Sequence, residues 1–204
     1  MNASVKSARV QSLFQEIFAS ATQSASESLR GWTSGQISLE LDDVHELPME
    51  EVTSQLEVGE EMLTIIALTL EGELGGQIIL TFDEENGRQL AATLLNRELN
   101  LEGDWSALEI SALKETGNIL ACAYVHTISE LIGKNLIPSP PHFIQDFGAS
   151  VLQQAVMAQA MTSDRVLVCR TTFLRGKEAL DWRVFFVPDH ALLSEIHATV
   201  QSAS

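Results

Sequence analysis

The chain has 204 residues, 45% of them hydrophobic, and a formal charge of −16 at pH 7 from 28 acidic and 12 basic side chains. Such a length supports one substantial core or two small ones, while the charge leaves no basic patch for phosphate backbones or anionic lipid, which excludes nucleic acid and membrane as expected partners. Cys122 and Cys169 stand alone inside apolar runs, a pattern of buried, reduced thiols, and with no apolar segment of signal or spanning length the expected location is the cytoplasm.

In chain order, Val10, Phe14, Ile17, Ala21, Ala25, Leu29 and Trp32 recur at helical spacing and predict a helix over about 5–32. Gly35 then opens an alternating run at 36–41, read as a strand. A short helical piece is expected after Pro48, followed by β-rich runs at 63–70 and 76–82 that should pair as a hairpin across the turn-like 71–75 segment. Asp83 is a good N-cap for the next helix, which carries Leu90, Leu94 and Leu95 and dissolves into a polar connection at 96–103.

The second half opens on Ser106 and Glu109, a capping-box pair at the start of a long helix reaching about Gly133. An apolar helix follows near 150–161, then strands at 165–173 and 181–187 around a turn at 175–177, and a last helix begun by Pro188 and Asp189. The order repeats that of the first half. Glu16 matches Glu115 and Asp83 matches Asp189, a period of about 100 residues. The expected architecture is therefore one pseudo-twofold α+β (α/β) domain over 1–204. Its halves, about 5–100 and 104–201, are each of α-β-β-β-α type and share one sheet, with the two long helices on one face, because a half this small cannot bury its strands alone.

The second long helix presents a polar row. Ser111, Glu115 and Asn118, spaced by four and three, fall in one narrow sector, while Ile110, Leu113, Leu120, Tyr124, Ile128 and Leu131 form a stripe centred almost opposite. Pro141 follows Asn118 after 22 intervening residues, within Pro138-Ser-Pro-Pro-His142. Alone, Glu115 reads as a solvated surface acid, and Ser111 as a surface hydroxyl; Asn118 is more telling, because asparagine inside a helix carries a propensity cost. Gly117 costs roughly 1 kcal/mol in the same helix, for which close packing beneath it and room for a partner's backbone are both adequate reasons. The prolines most simply stiffen the chain where it leaves the helix, and Pro141 is kept as a site-shaping residue. His45, His126, His142, His190 and His197 show no metal-ligand spacing, and no G-x-S-x-G elbow is present.

These residues resemble the CheC/CheX/FliY family of chemotaxis phosphatases, whose signature is Asp or Ser, three residues, Glu, two residues, Asn, then 22 residues and Pro. Ser111, Glu115, Asn118 and Pro141 match every position, and the segments 114–121 and 136–142 look like the second site of CheC. In the first half Ser12 and Glu16 keep the hydroxyl and the acid, but Ala19 stands where the family places asparagine and the proline position is Asp42; only the second site is intact. The resemblance implies hydrolysis of the phosphoaspartate of a CheY-type receiver domain. Glu115 would anchor the receiver through its lysine, Asn118 would orient the attacking water, and Ser111, Gly117 and Pro141 would support them. No cofactor would be bound by this chain, since Mg2+ would be held by the receiver. CheD is a further partner compatible with the resemblance, as is a homodimer, for which Phe14, Phe18 and Trp32 could supply the contact unless they belong to the core. The alternative function is a non-catalytic receiver- or CheD-binding module of the chemotaxis and flagellar system.

Overall fold

The computed structural model describes residues 3–48, 51, 61–160 and 165–202. The element order is α1 (Ala3–Trp32), β1 (Ile37–Pro48), β2 (Met62–Glu71), β3 (Gly76–Phe82), α2 (Glu84–Leu95), α3 (Ala107–Ile132), β4 (Ile137–Pro138), β5 (His142–Phe147), α4 (Gly148–Ala160), β6 (Arg165–Arg175), β7 (Glu178–Pro188) and α5 (His190–Ser202). The helical piece expected after Pro48 falls mostly outside the described residues.

All pairings in the seven-stranded sheet are antiparallel, in the order β1-β6-β7-β3-β2, with β4 and β5 both on the outer edge of β2. The order is palindromic. β3 and β7 meet at the centre, and each half sends its first strand across to pair with the second strand of the other half, β1 with β6 and β4/β5 with β2. The hairpins β2–β3 and β6–β7 form as the sequence predicts. β1 runs on to Pro48, beyond the expected end at residue 41, and β5 supplies a strand that the α-β-β-β-α pattern of the second half requires but that no local signal in the sequence places. Both are edge strands with many half-exposed positions, so their alternation is weak.

The sheet is buried on both faces, which is why its central strands read as continuous apolar runs. Ile66, Leu68, Leu80, Phe82, Phe173, Trp182 and Phe186 point to the face carrying α1 and α3. Ile65, Ile79, Val168, Phe185 and Val187 point to the other, where α4 contributes Val151. Of the predicted α1 stripe, Phe14, Ala21, Ala25 and Leu29 are fully buried, and Phe18 joins them. Phe14 and Phe18 are therefore core residues, and of the trio considered for a dimer contact only Trp32 remains exposed. Trp32 Nε1 donates to the Thr116 hydroxyl at 3.2 Å, tying the end of α1 to the middle of α3. Deeper in, Tyr124 OH lies 2.7 Å from Thr22 Oγ1 and 2.9 Å from Thr171 Oγ1, so one buried phenol joins α1, α3 and β6. Burial pushes that phenol far above its ordinary titration range.

Two local devices set the position of α3. At its start the capping box closes as predicted: Ser106 N–H and Oγ–H both donate to Glu109 Oε2, at 2.8 and 2.6 Å, and Glu109 N–H donates back to Ser106 Oγ. At its middle, Gly117 rests directly on β2. A Cβ at Gly117 would lie 2.5 Å from Cγ2 of Ile66, a fully buried side chain. Close packing is the structural reason for this glycine. The helix stops at Gly133, whose φ of 65° supplies the left-handed cap. No helix among the described residues is long and apolar enough to cross a membrane.

Single substitutions probe each device. Gly117→Ala gains up to about 1 kcal/mol of helix propensity, but pushing a methyl into Ile66 costs about 1–3 kcal/mol. Urea denaturation should therefore show a net loss of stability, and an unchanged or raised midpoint would show that α3 does not sit as closely on β2 as described. Ser106→Ala should cost about 1 kcal/mol at neutral pH. The hydrogen bond from Ser106 holds the Glu109 carboxyl below its ordinary value of 4.5. A depressed folded-state pKa stabilises above the unfolded value and is lost as pH falls through the folded one. The gap between the two proteins should accordingly narrow as pH is lowered below about 4.5, and a gap that stays constant to pH 3 would contradict this account.

Candidate active site

α3 carries its core stripe on Leu113, Thr116, Gly117, Leu120, Tyr124 and Ile128, all buried, with Ile110 and Leu131 half-buried at its ends. The opposite side presents Ser111 and Glu115, exposed, and Asn118, half-buried. The row continues one turn further to Cys122, which is exposed. This corrects the expectation of two buried thiols: Cys169 is buried on β6, but Cys122 lies four residues past Asn118 on the presenting side. Its thiol donates to Asn118 Oδ1 at 3.8 Å, the one side-chain hydrogen bond of Asn118 among the described residues. The carboxamide NH2 is thus unengaged. His126, also exposed, pairs with Glu130 at 3.6 Å one helical turn away.

Facing this row is the corner 138–141, where the edge of the sheet changes from β4 to β5. Pro140 and Pro141 have no N–H to offer a ladder, and Ser139 makes up the deficit. Its N–H donates to Thr69 O at 2.7 Å while its hydroxyl oxygen accepts Thr69 N–H at 3.0 Å. Ser139 is buried, and this two-way clamp fixes the proline corner to β2, the strand on which Gly117 rests. Helix and corner are therefore held at a set separation through one strand. Between them lies an open groove of about 630 Å³, lined by Ala107, Ile110, Ser111, Lys114, Glu115 and Asn118 on the helix and by Pro138, Ser139, Pro140 and Pro141 opposite.

Four sequence-predicted residues, Ser111, Glu115, Asn118 and Pro141, meet in that groove. Gly117 does not line it; it lies beneath, setting the height of the helix. Ser139 and Lys114 were not singled out by sequence. The clamp made by Ser139 depends on Thr69, 70 residues away, and has no local signature. Chemically, the groove offers a carboxylate, a carboxamide able both to donate and to accept, a hydroxyl and an ammonium, facing a wall poor in competing donors.

The first half builds a different surface. Ser12, Glu16 and Ala19 are exposed on α1, but the groove between α1 and β1, about 450 Å³, is lined by Ala19, Thr22, Gln23, Ser26, Arg30 and Leu39 among others, and by neither Ser12 nor Glu16. Asp42, at the position equivalent to Pro141, sits where the register of β1 shifts between Leu41 and Asp43. There it accepts the Thr172 hydroxyl at 2.7 Å, and beside it Asp43 pairs with Arg170 at 2.6 Å. A bulge tied to β6 thus replaces the proline corner.

Comparison with known proteins agrees with this picture. Residues 108–144, which span the site helix and the proline corner, match the profile of the CheC-like family. The CheY-P phosphatase CheC of Bacillus subtilis is 27% identical over 130 residues, covering 61% of this chain and 62% of that protein. Among solved structures, FliY of Thermotoga maritima superimposes with a TM-score of 0.72 at 18% identity, covering 96% of this chain and 97% of that one. A CheX-CheY-BeF3-Mg+2 complex from Borrelia burgdorferi gives a TM-score of 0.56 at 18% identity, with coverage of 83% and 96%. The site helix and proline corner are thus similar to the CheC-like family, and the overall fold is that of FliY and CheX.

Proposed function

We propose that this chain, acting as one CheC-like unit of two pseudo-equivalent halves, hydrolyses the phosphoaspartate of a CheY-type receiver domain through the groove between α3 and the proline corner. The observation that carries the reading is the convergence of Glu115, Asn118 and Pro141 on one open groove, with the Asn118 NH2 group unengaged. The naming of a similar protein as a CheY-P phosphatase supports it.

In the reaction a water oxygen attacks phosphorus in line with the acyl oxygen. The P–O bond to that oxygen breaks, the aspartate leaves as a carboxylate, and the water gives up a proton to yield inorganic phosphate. Little covalent chemistry is left to the protein, so positioning and electrostatics supply the acceleration. Asn118 has the chemistry to orient the water, since its carbonyl oxygen accepts from the water while its NH2 donates toward the phosphoryl oxygens, and neither adds negative charge. Glu115, one turn earlier and exposed, reaches out to a receiver cation and fixes the complex. Ser111 and Pro141 border the water's approach, and Gly117 sets the helix height. Magnesium belongs to the receiver in this scheme.

Phosphate release from a phosphorylated CheY-type receiver with Mg2+ tests the proposal. Asn118→Ala should lose about a hundredfold in the accelerated rate, Glu115→Ala should chiefly raise KM, and Glu16→Ala should match the unmutated protein. If the unmutated protein binds the receiver yet leaves its own decay unchanged, the chain is a non-catalytic binding module. Loss at Glu16→Ala equal to that at Glu115→Ala would contradict the single-site reading.

A further inference from the structure

We infer that Lys114 is the phosphoryl-contacting cation of the groove, a role that rests on the receiver-phosphatase reading above. Lys114 is half-buried and lines the same groove as Glu115 and Asn118. No hydrogen bond or ion pair joins it to any other group among the described residues. The sequence explains why: its neighbours three and four positions away are Ile110, Ser111, Gly117 and Asn118, none of which can neutralise it along the helix. In a chain of net charge −16, where Arg88, Lys134 and Arg170 each have a carboxylate within 3 Å, an unpaired ammonium beside a groove is a charge left available.

Position on the helix separates the two charges of the site. Glu115 is rotated about 100° from Lys114, whereas Asn118 lies one turn above Lys114 on the same side. A carboxylate directed at a receiver cation and an ammonium placed with the water-orienting amide form two poles, complementary to a partner that offers a cation beside a phosphoryl dianion. Such complementarity also fixes register and suppresses the uncharged competitor. The degenerate half is consistent with this division. Gln15 and Ala19 occupy the positions of Lys114 and Asn118, so the two groups assigned here to the phosphoryl centre are both absent, while Ser12 and Glu16 remain.

The test compares binding of an unloaded receiver with binding of the same receiver loaded with Mg2+ and trifluoroberyllate, a phosphoryl mimic, alongside phosphate release. Lys114→Met keeps the aliphatic stem and removes the charge. It should lower the preference for the loaded receiver roughly tenfold, the size of one lost charge-assisted hydrogen bond, with unchanged affinity for the unloaded one; Lys114→Arg should recover most of the preference. An unaltered preference in Lys114→Met, in a protein whose unmutated form accelerates phosphate release, overturns the assignment of Lys114 alone. Equal weakening for both receiver forms does so too, since it marks a general docking contact. Failure of the unmutated protein to accelerate release removes the phosphatase reading, and this inference with it.

Discussion

Each half of this chain completes the sheet of the other. β1 hydrogen-bonds to β6, and β4 and β5 to β2, so the pairs that close the two edges join residues roughly 70–140 positions apart. Neither half can satisfy its own strands, and the loop-closure entropy of these long-range pairings is recovered only when the whole sheet forms. The exchange also decides where function can sit. With both helices on one face, each long helix lies over the edge strand that follows it in sequence, which creates one groove per half between a helix and a strand of its own half.

The two grooves then diverge through details of a few residues. In the second half the edge strand is broken by Pro140 and Pro141 and re-anchored by Ser139 on Thr69, while α3 drops onto Ile66 at Gly117. Both supports converge on β2, an interior strand whose Ile65 and Ile66 are buried on opposite faces, so the helix and the corner share one base. In the first half the edge strand is continuous, with a bulge at Asp42 absorbed by contacts to Thr172 and Arg170. A polar bulge tied to its neighbour stands where the second half has its proline wall. The asymmetry of the motif in sequence thus has a counterpart in backbone geometry.

The parts legible in sequence were those whose cause is local. Ser106 and Glu109 announce their capping box by standing three residues apart just before an apolar helical run, and the row Ser111, Glu115, Asn118 follows from helical periodicity. The 22-residue interval to Pro141 pointed to the facing wall of the groove through family resemblance rather than through any periodicity. What could not be read depends on distant partners. The length of β1 and the existence of β5 are set by pairing with β6 and β2, and their half-exposed faces blur the alternation that marks a strand. Cys122 looked buried because Leu120, Ala121 and Ala123 surround it in sequence, yet its angle on the helix places it with Asn118. Gly117 has two adequate readings in sequence and one in the structure, where Ile66 lies beneath it, and Ser139 carries no mark of the strand it clamps.

The central claim is that a phosphorylated receiver meets this protein at the α3 groove and nowhere on α1. Backbone amide chemical-shift mapping of this chain, titrated with a trifluoroberyllate-loaded CheY-type receiver, addresses it directly. Perturbations should concentrate at residues 108–118 and 137–142, with residues 12–19 and 39–43 unmoved. Shifts centred on the α1–β1 groove, with the second-site residues silent, would contradict it.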